Sequence, residues 1–343
     1  MRGENDFAQI YAGATLAGTS DLYSRSANLA VVQENLGLTM ESVVFTRPPF
    51  YAALLKPLAW LPYGPAYVLF SMASLACVIW YVVRFSKECP ALPFFAAMSI
   101  PILAAICGGQ DTPLLLVILG GSILLKRANK ELLAGALLSL VSIKFHLFLF
   151  IPFFLLLKRE WRTLGGAAGG LACLTGFGVA VTGVNSWEQY VNVLLDPWIN
   201  PSATIMPNIH GLVAVLGGGT GLELTLIALA FAAFVWIARR SDNYEFLLAV
   251  SLVCGLLVSF HSGIADDIVL LPAFVAIVRT CSVPWLRAAS ALILTPVPYF
   301  MVLADAPYSA FLPVSLFVVL GLSVVAVGNR GKQVAIHEAT CTS

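Results

Sequence analysis

Residues 132–157 read LLAGALLSLVSIKFHLFLFIPFFLLL, an apolar run whose titratable side chains, Lys144 and His146, sit near its middle. About 20 helical residues cross a bilayer core of about 30 Å. This run is longer than that, and as a straight helix it would reach roughly 39 Å at 1.5 Å per residue. A charged group at membrane depth costs several kcal/mol, and where one is kept it marks a functional site. Lys126, Arg127 and Lys130 precede the run, and Lys158, Arg159 and Arg162 follow it. The chain reads as a membrane protein that brings a lysine and a histidine inward to meet something anionic.

Composition supports this. Of 343 residues 59% are hydrophobic and only 11% are charged, against about 25% charged in a soluble domain. Further apolar runs lie at 64–83, 91–107, 113–125, 164–183, 222–238, 245–260, 268–278, 286–303 and 309–327. They are solidly apolar rather than alternating, which excludes strand spans. The expected fold class is all-α, a polytopic integral membrane bundle of about 9–11 helices. The net charge is +1 and there is no basic tract, so no nucleic-acid partner is expected. The seven cysteines are scattered, with neither metal-ligand spacing nor a disulfide framework, and read as small core hydrophobes. No cofactor and no metal ligand set is expected.

Charge placement sets the topology. With the loops after 83, 125, 157, 238, 278 and 327 in the cytoplasm, 14 of the 19 Lys and Arg lie inside, while loops 108–112, 184–221, 261–267 and 304–308 carry none. This is the positive-inside distribution. Both ends of 132–157 are then cytoplasmic, so the stretch is expected to enter and return as a re-entrant helix pair meeting near Lys144–His146. Non-helical backbone at that depth is tolerated where it is buried in protein or lines a wet cavity. The rival is one tilted crossing, which would put the later basic loops outside.

Three regions follow: 1–62, external and interfacial; 63–328, the transmembrane bundle, continuous with the first region as one domain; and 329–343, a cytoplasmic tail. A short interfacial helix is expected from Phe7 to near Gly18, and Pro48 and Pro49 break the chain before an aromatic segment. Exporting 62 residues with no preceding span requires either that an original first span is lacking, which is the expectation, or that part of 43–62 inserts.

The external loops collect acids, amides and histidines. GGQD at 108–111 supplies Gln110 and Asp111, MPNIHGL at 206–212 supplies Asn208 and His210, and SFHSGIADD at 259–267 supplies His261, Asp266 and Asp267. Trp187, Tyr190 and Trp198 suit the headgroup zone. Singly, each polar group has a plain alternative: Asp6 a helix cap, GGQD a turn, His210 and His261 satisfied loop histidines, Asp266 and Asp267 solvated charges. Together, over an inward Lys144 and His146, they describe a cavity for an anionic lipid headgroup and a hydroxylated substrate. A transporter or lipid flippase with an intramembrane anion site is the alternative, although no second copy of the 132–157 pattern is found, as many transporters would show.

DFAQIYAGATLAG with LYS at 6–24, FTRPPFYAALLKPLAWLP at 45–62, the segment 108–162, MPNIHGL and SFHSGIADDIVLLPA at 259–273 together resemble glycosyltransferase family 87. This family, formerly a domain of unknown function, lies within the GT-C superfamily. Two departures stand out: the family's usual helix before the DF motif is missing, and Ile10–Tyr11 stands where the family tends to show a Tyr–Tyr pair. The resemblance implies a GT-C-like bundle in the inner or plasma membrane. It also implies inverting transfer of mannose or arabinose from a polyprenyl-phosphate-linked sugar donor to a glycolipid or glycan acceptor at the non-cytoplasmic face, without a metal. Asp6 stands at the position of the catalytic acid in the first external loop. Lys144, His146 and Arg47 would neutralise the phosphate, and Gln110, Asp111, Asn208, His210, His261, Asp266 and Asp267 are candidates to bind sugar hydroxyls or orient the basic groups.

Overall fold

The computed structural model describes residues 6–36, 43–196 and 202–341, with side chains to residue 328. Trp198, Arg2 and the side chains of the expected tail at 329–343, including Arg330 and Lys332, lie outside it. Among the described residues every regular element is helical: eighteen α-helices joined by turns and short 3₁₀ segments. Five are long and apolar enough to cross a membrane: Tyr63–Phe85, Glu131–Phe148 (with its 3₁₀ continuation), Trp161–Thr182, Thr220–Arg240 and Tyr308–Gly328. The protein is an all-α polytopic membrane protein.

Several expected spans are in pieces, and prolines account for two of the breaks. The run 91–107 forms Leu92–Ala97 and Ile100–Gly108. Pro101 sits in the first turn of the second helix, where its missing N–H is not needed, and Ser99 Oγ caps that turn by accepting from Ile102 N (3.3 Å). The run 286–303 becomes Pro284–Ile293 and Pro296–Leu303, bent by 46°. Thr295 is extended there and Pro296 starts the new helix, since proline cannot continue the hydrogen-bond ladder of the first. The runs at 113–125, 245–260 and 268–278 form Thr112–Arg127, Tyr244–Val258 and Leu270–Thr280, all shorter than a full crossing.

The chain divides into two compact units. The first comprises Met1–Trp80, Leu103–Lys144 and Gly165–Asn200. Its core forms around the helix Asp6–Leu16, which is buried on nearly every side. Apart from Asp6, Gln9 and Thr15 the sequence DFAQIYAGATL is apolar or small all round, so the helix becomes a core element. Phe7 meets Tyr63, Tyr67 and Phe70 at ring separations of 5.3, 5.5 and 5.3 Å. The helix Thr112–Arg127 runs to a tight turn where Lys126 pairs with Glu131 (2.7 Å), and Glu131–Leu138 then packs back along it.

The second unit comprises Tyr81–Ile102, Phe145–Leu164 and Pro201–Ser343. Tyr244–Val258 is its centre, with every residue from Phe246 to Leu257 buried. A helix apolar all round is a central one. It packs against Leu270–Thr280, Thr220–Arg240, Phe150–Leu157 and Phe311–Cys341. Gly255 lets the chain at Leu147 cross it closely; a Cβ there would strike the Leu147 carbonyl. One end of this unit gathers the basic loops: Lys158 pairs with Asp242 (2.8 Å), Arg279 with Glu245 (2.9 Å) and Glu88 (3.3 Å), and Arg84 with Glu88 (3.5 Å).

The stretch 132–157 is broken where the lysine falls. Glu131–Leu138 is α-helical, Ser139–Phe148 is 3₁₀, and Phe150–Leu157 is α-helical again. Lys144 leaves helical conformation altogether, at φ −130° and ψ 56°. Within the first unit the chain runs from the Lys126–Glu131 turn to Lys144 beside Gln110. Within the second it runs from His146, against Phe260 and His261, to Lys158 beside Asp242.

Candidate active site

The polar residues of the first unit close into a ring. Asp6 opens the helix Asp6–Leu16, and Gln9, one turn on, donates from Nε2 to Asp6 Oδ1 (2.9 Å), the i,i+3 spacing that stacks side chains on one helix face. The other oxygen, Asp6 Oδ2, accepts from Gln110 Nε2. Gln110 Oε1 accepts from Lys144 Nζ (3.1 Å), and Lys144 Nζ lies 3.7 Å from Asp111 Oδ1. Asp111 accepts from Arg47 through Nε (2.7 Å) and Nη2 (3.2 Å). Arg47 Nη1 donates to Thr46 Oγ1 (3.0 Å), which donates to Gln9 Oε1 (3.0 Å).

Local sequence explains how these side chains arrive. The helix Ile100–Gly108 ends on Gly109 in the left-handed region (φ 63°), and Gln110 N reaches back to Ala105 O (2.8 Å), the glycine-terminated helix end that only a residue without Cβ adopts freely. That turn delivers Gln110 and Asp111 side by side. Tyr67 holds it by donating to Cys107 O (2.8 Å). Asp111 precedes Thr112–Arg127 but makes no cap bond; its carboxylate is taken by Arg47 and Lys144. Tyr23 donates to Arg47 O (2.7 Å) and fixes the arginine backbone.

Asp111, Lys144 and Arg47 are buried, while Asp6, Gln9, Thr46 and Gln110 are half-buried. The carboxyl of Asp6, outside the spanning helices, is raised above the ordinary aspartate range. Burial is the largest cause, opposed by Lys144, Arg47 and the Gln110 hydrogen bond, and reinforced by Asp111. A half-buried carboxylate of raised basicity, held between two amides near two cations, is suited to accept a proton.

The remaining expected residues lie in the second unit. Asn208 caps Ile209–Val215, its Oδ1 accepting from Gly211 N (2.8 Å), and its Nδ2 donates to Ser259 O (2.9 Å) and Ser262 Oγ (3.0 Å). It thereby ties MPNIHGL to SFHSG. His146 and His261 approach with ring centroids 6.2 Å apart. His210 pairs with Glu223 (3.0 Å) and is 43% exposed at its side chain. Asp266 Oδ2 accepts from Gly263 N (2.9 Å). Asp267 is buried with neither oxygen hydrogen-bonded among the described residues, and burial with the neighbouring Asp266 raises its carboxyl well above the usual range. Among the described residues no group of three or more His, Cys, Asp or Glu side chains is placed to hold a metal ion.

Sequence reasoning missed Gln9 and Thr46. Their positions carried a signal, since Gln9 follows Asp6 by one helical turn and Thr46 adjoins Arg47.

The first unit of this helical polytopic membrane protein thus joins two acids, Asp6 and Asp111, and two cations, Arg47 and Lys144, in one polar network, and ionisable groups kept inside a membrane protein mark a functional site. The chain belongs to glycosyltransferase family 87, whose profile matches residues 45–262, and it is a membrane glycosyltransferase. The matched span holds Arg47, Gln110, Asp111, Lys144, His146, Asn208, His210 and His261; Asp6, Asp266 and Asp267 lie outside it. Comparison with curated proteins and with solved structures gives no match.

Proposed function

We propose that the protein transfers a sugar of mannose or arabinose type from a polyprenyl-phosphate donor to a glycolipid or glycan acceptor, inverting the anomeric centre, at the non-cytoplasmic membrane face. The supporting observation is that Gln110 links Asp6 directly to Lys144 through its two amide ends, so that a proton acceptor and a phosphate-binding cation sit one side chain apart.

In the proposed reaction Asp6 accepts the proton of the acceptor hydroxyl as its oxygen attacks the anomeric carbon. The bond from that carbon to the phosphate oxygen breaks, and the pair of electrons leaves with the polyprenyl phosphate. The leaving group gains one negative charge, which Lys144 and Arg47 stabilise by charge-assisted hydrogen bonds. Inversion requires acceptor and leaving group on opposite sides of the sugar. Asp6 must be ionised to act, and its raised carboxyl places the acid limb of activity above the ordinary aspartate range.

The proposed topology keeps each basic loop in the cytoplasm by the charge rule, so that 132–157 enters and returns with its break at Lys144. His146, His261, Asp266 and Asp267 are proposed as sugar-hydroxyl or orienting groups, as are His210 and Asn208.

Membranes carrying the protein, given labelled polyprenyl-phosphate mannose or arabinose, should yield labelled lipid or polymer. Asp6→Asn should preserve folding and abolish that transfer, and Lys144→Ala should weaken donor binding. Full activity in Asp6→Asn removes Asp6 as the base; unchanged donor affinity in Lys144→Ala removes the phosphate role.

A further inference from the structure

The ring has a direction, because two of its members can only donate. Lysine and arginine carry no acceptor. Lys144 therefore requires that the Gln110 oxygen face it, which turns the Gln110 NH₂ to Asp6. Arg47 likewise requires that Thr46 Oγ1 accept from it. The single Thr46 hydroxyl proton is then left for Gln9 Oε1, which turns the Gln9 NH₂ to Asp6. Two relays start at the two cations, one through Gln110 and one through Thr46 and Gln9, and both end on Asp6. The other ends of both cations rest on Asp111.

We propose that Gln9 and Thr46 are positioning residues that hold the Asp6 carboxylate as a hydrogen-bond acceptor and carry the influence of Arg47 to it. The inference rests on Asp6 as the proton acceptor proposed above. Its consequence is a division of labour: Gln110 and Gln9 each occupy one Asp6 oxygen, fixing the carboxylate plane, and each oxygen keeps a lone pair for an incoming hydroxyl. Burial favours the neutral acid, and the two amide donors oppose it by favouring the carboxylate. Lys144, Arg47 and Asp111 are the charged groups that act on Asp6; Gln9→Leu removes no hydrogen bond made by any of them, whereas Thr46→Val keeps their charges but takes one acceptor from Arg47, which Thr46→Ser returns.

The test follows the protonation of Asp6 itself in the full chain in detergent. Infrared difference spectra on acidification show a carboxylic C=O band, and its loss in Asp6→Asn assigns it. Gln9→Leu should raise the midpoint of that band by about one pH unit, a tenfold change in proton affinity. Thr46→Val should raise it by less, and Thr46→Ser, which keeps the hydroxyl, should restore it. An unmoved midpoint in Gln9→Leu and Thr46→Val overturns the inference, as does an equal shift in Thr46→Val and Thr46→Ser. Failure of the base reading shows separately, as transfer surviving in Asp6→Asn. If Gln9→Leu fails to fold, the Thr46 pair decides alone.

Discussion

Replacing Asp111 by Asn removes the counter-ion that two buried cations share while preserving side-chain size. The Asp111, Lys144 and Arg47 side chains are 1%, 5% and 11% exposed, so water cannot take the place of the carboxylate. Breaking a buried ion pair by removing one partner costs about 3–5 kcal/mol. The lower end applies here, because Arg47 keeps its bond to Thr46, Lys144 keeps its bond to Gln110, and the new amide oxygen still accepts one hydrogen bond. At about 2–4 °C per kcal/mol for a unit of this size, about 3 kcal/mol lowers the melting temperature by roughly 6–12 °C. The molecule supplies its own control. Arg25 and Asp196 form an ion pair with side chains 44% and 31% exposed, and an exposed pair contributes under about 1 kcal/mol. Asp196→Asn should therefore shift melting by no more than about 4 °C. Thermal unfolding of both variants and the parent, in one detergent at one scan rate, gives the comparison. Equal shifts for the two variants would refute the claim that Asp111 is the desolvated hub of the network.

Two other perturbations probe the second unit. Gly255→Ala drives a methyl group into the Leu147 carbonyl and should cost about 1–3 kcal/mol as an overpacked contact, seen as lost folded yield; Gly64→Ala, with open space around it, should be neutral. Asp267, with its carboxyl raised by burial and by Asp266, favours the folded state most while it is protonated. Its contribution is fully present below the unfolded value of about 3.8 and is lost as pH rises through the folded one, so the melting temperature of the parent should fall over that window while Asp267→Asn shows a flatter profile. A parallel pH dependence in the two proteins would count against a neutral Asp267.

Local patterns carried much of this protein. Apolar runs identified the helices, because burial in lipid is additive along a chain and needs no knowledge of partners. Charge bookkeeping grouped the loops after 83, 157, 238 and 278, and the ion pairs of Arg84, Lys158 and Arg279 gather these loops at one end of the second unit. The same charge bookkeeping led to an expected break near Lys144–His146, and the helical backbone is interrupted at Lys144. Proline breaks inside 91–107 and 286–303 were passed over, since mean hydropathy is blind to backbone donors.

For the site, residue type pointed to Gln110, Asp111 and Lys144 because charge and amides are conspicuous in so apolar a chain, while Asp6 and Arg47 came with the family resemblance. What those residues do to one another was decided only by tertiary packing. Asp6 meets Gln110 across 104 positions, Arg47 meets Asp111 across 64, and Thr46 meets Gln9 across 37. Hydrogen bonds of a few ångströms depend on which helices pack together, and no periodicity or composition encodes that. The sequence by itself determined that this chain lives in a membrane, where its apolar helices lie and which loops carry its charge. The tertiary structure decided that the N-terminal helix is a core element, that Asp111 serves two cations, and that Gln9 and Thr46 complete a directed ring ending on Asp6.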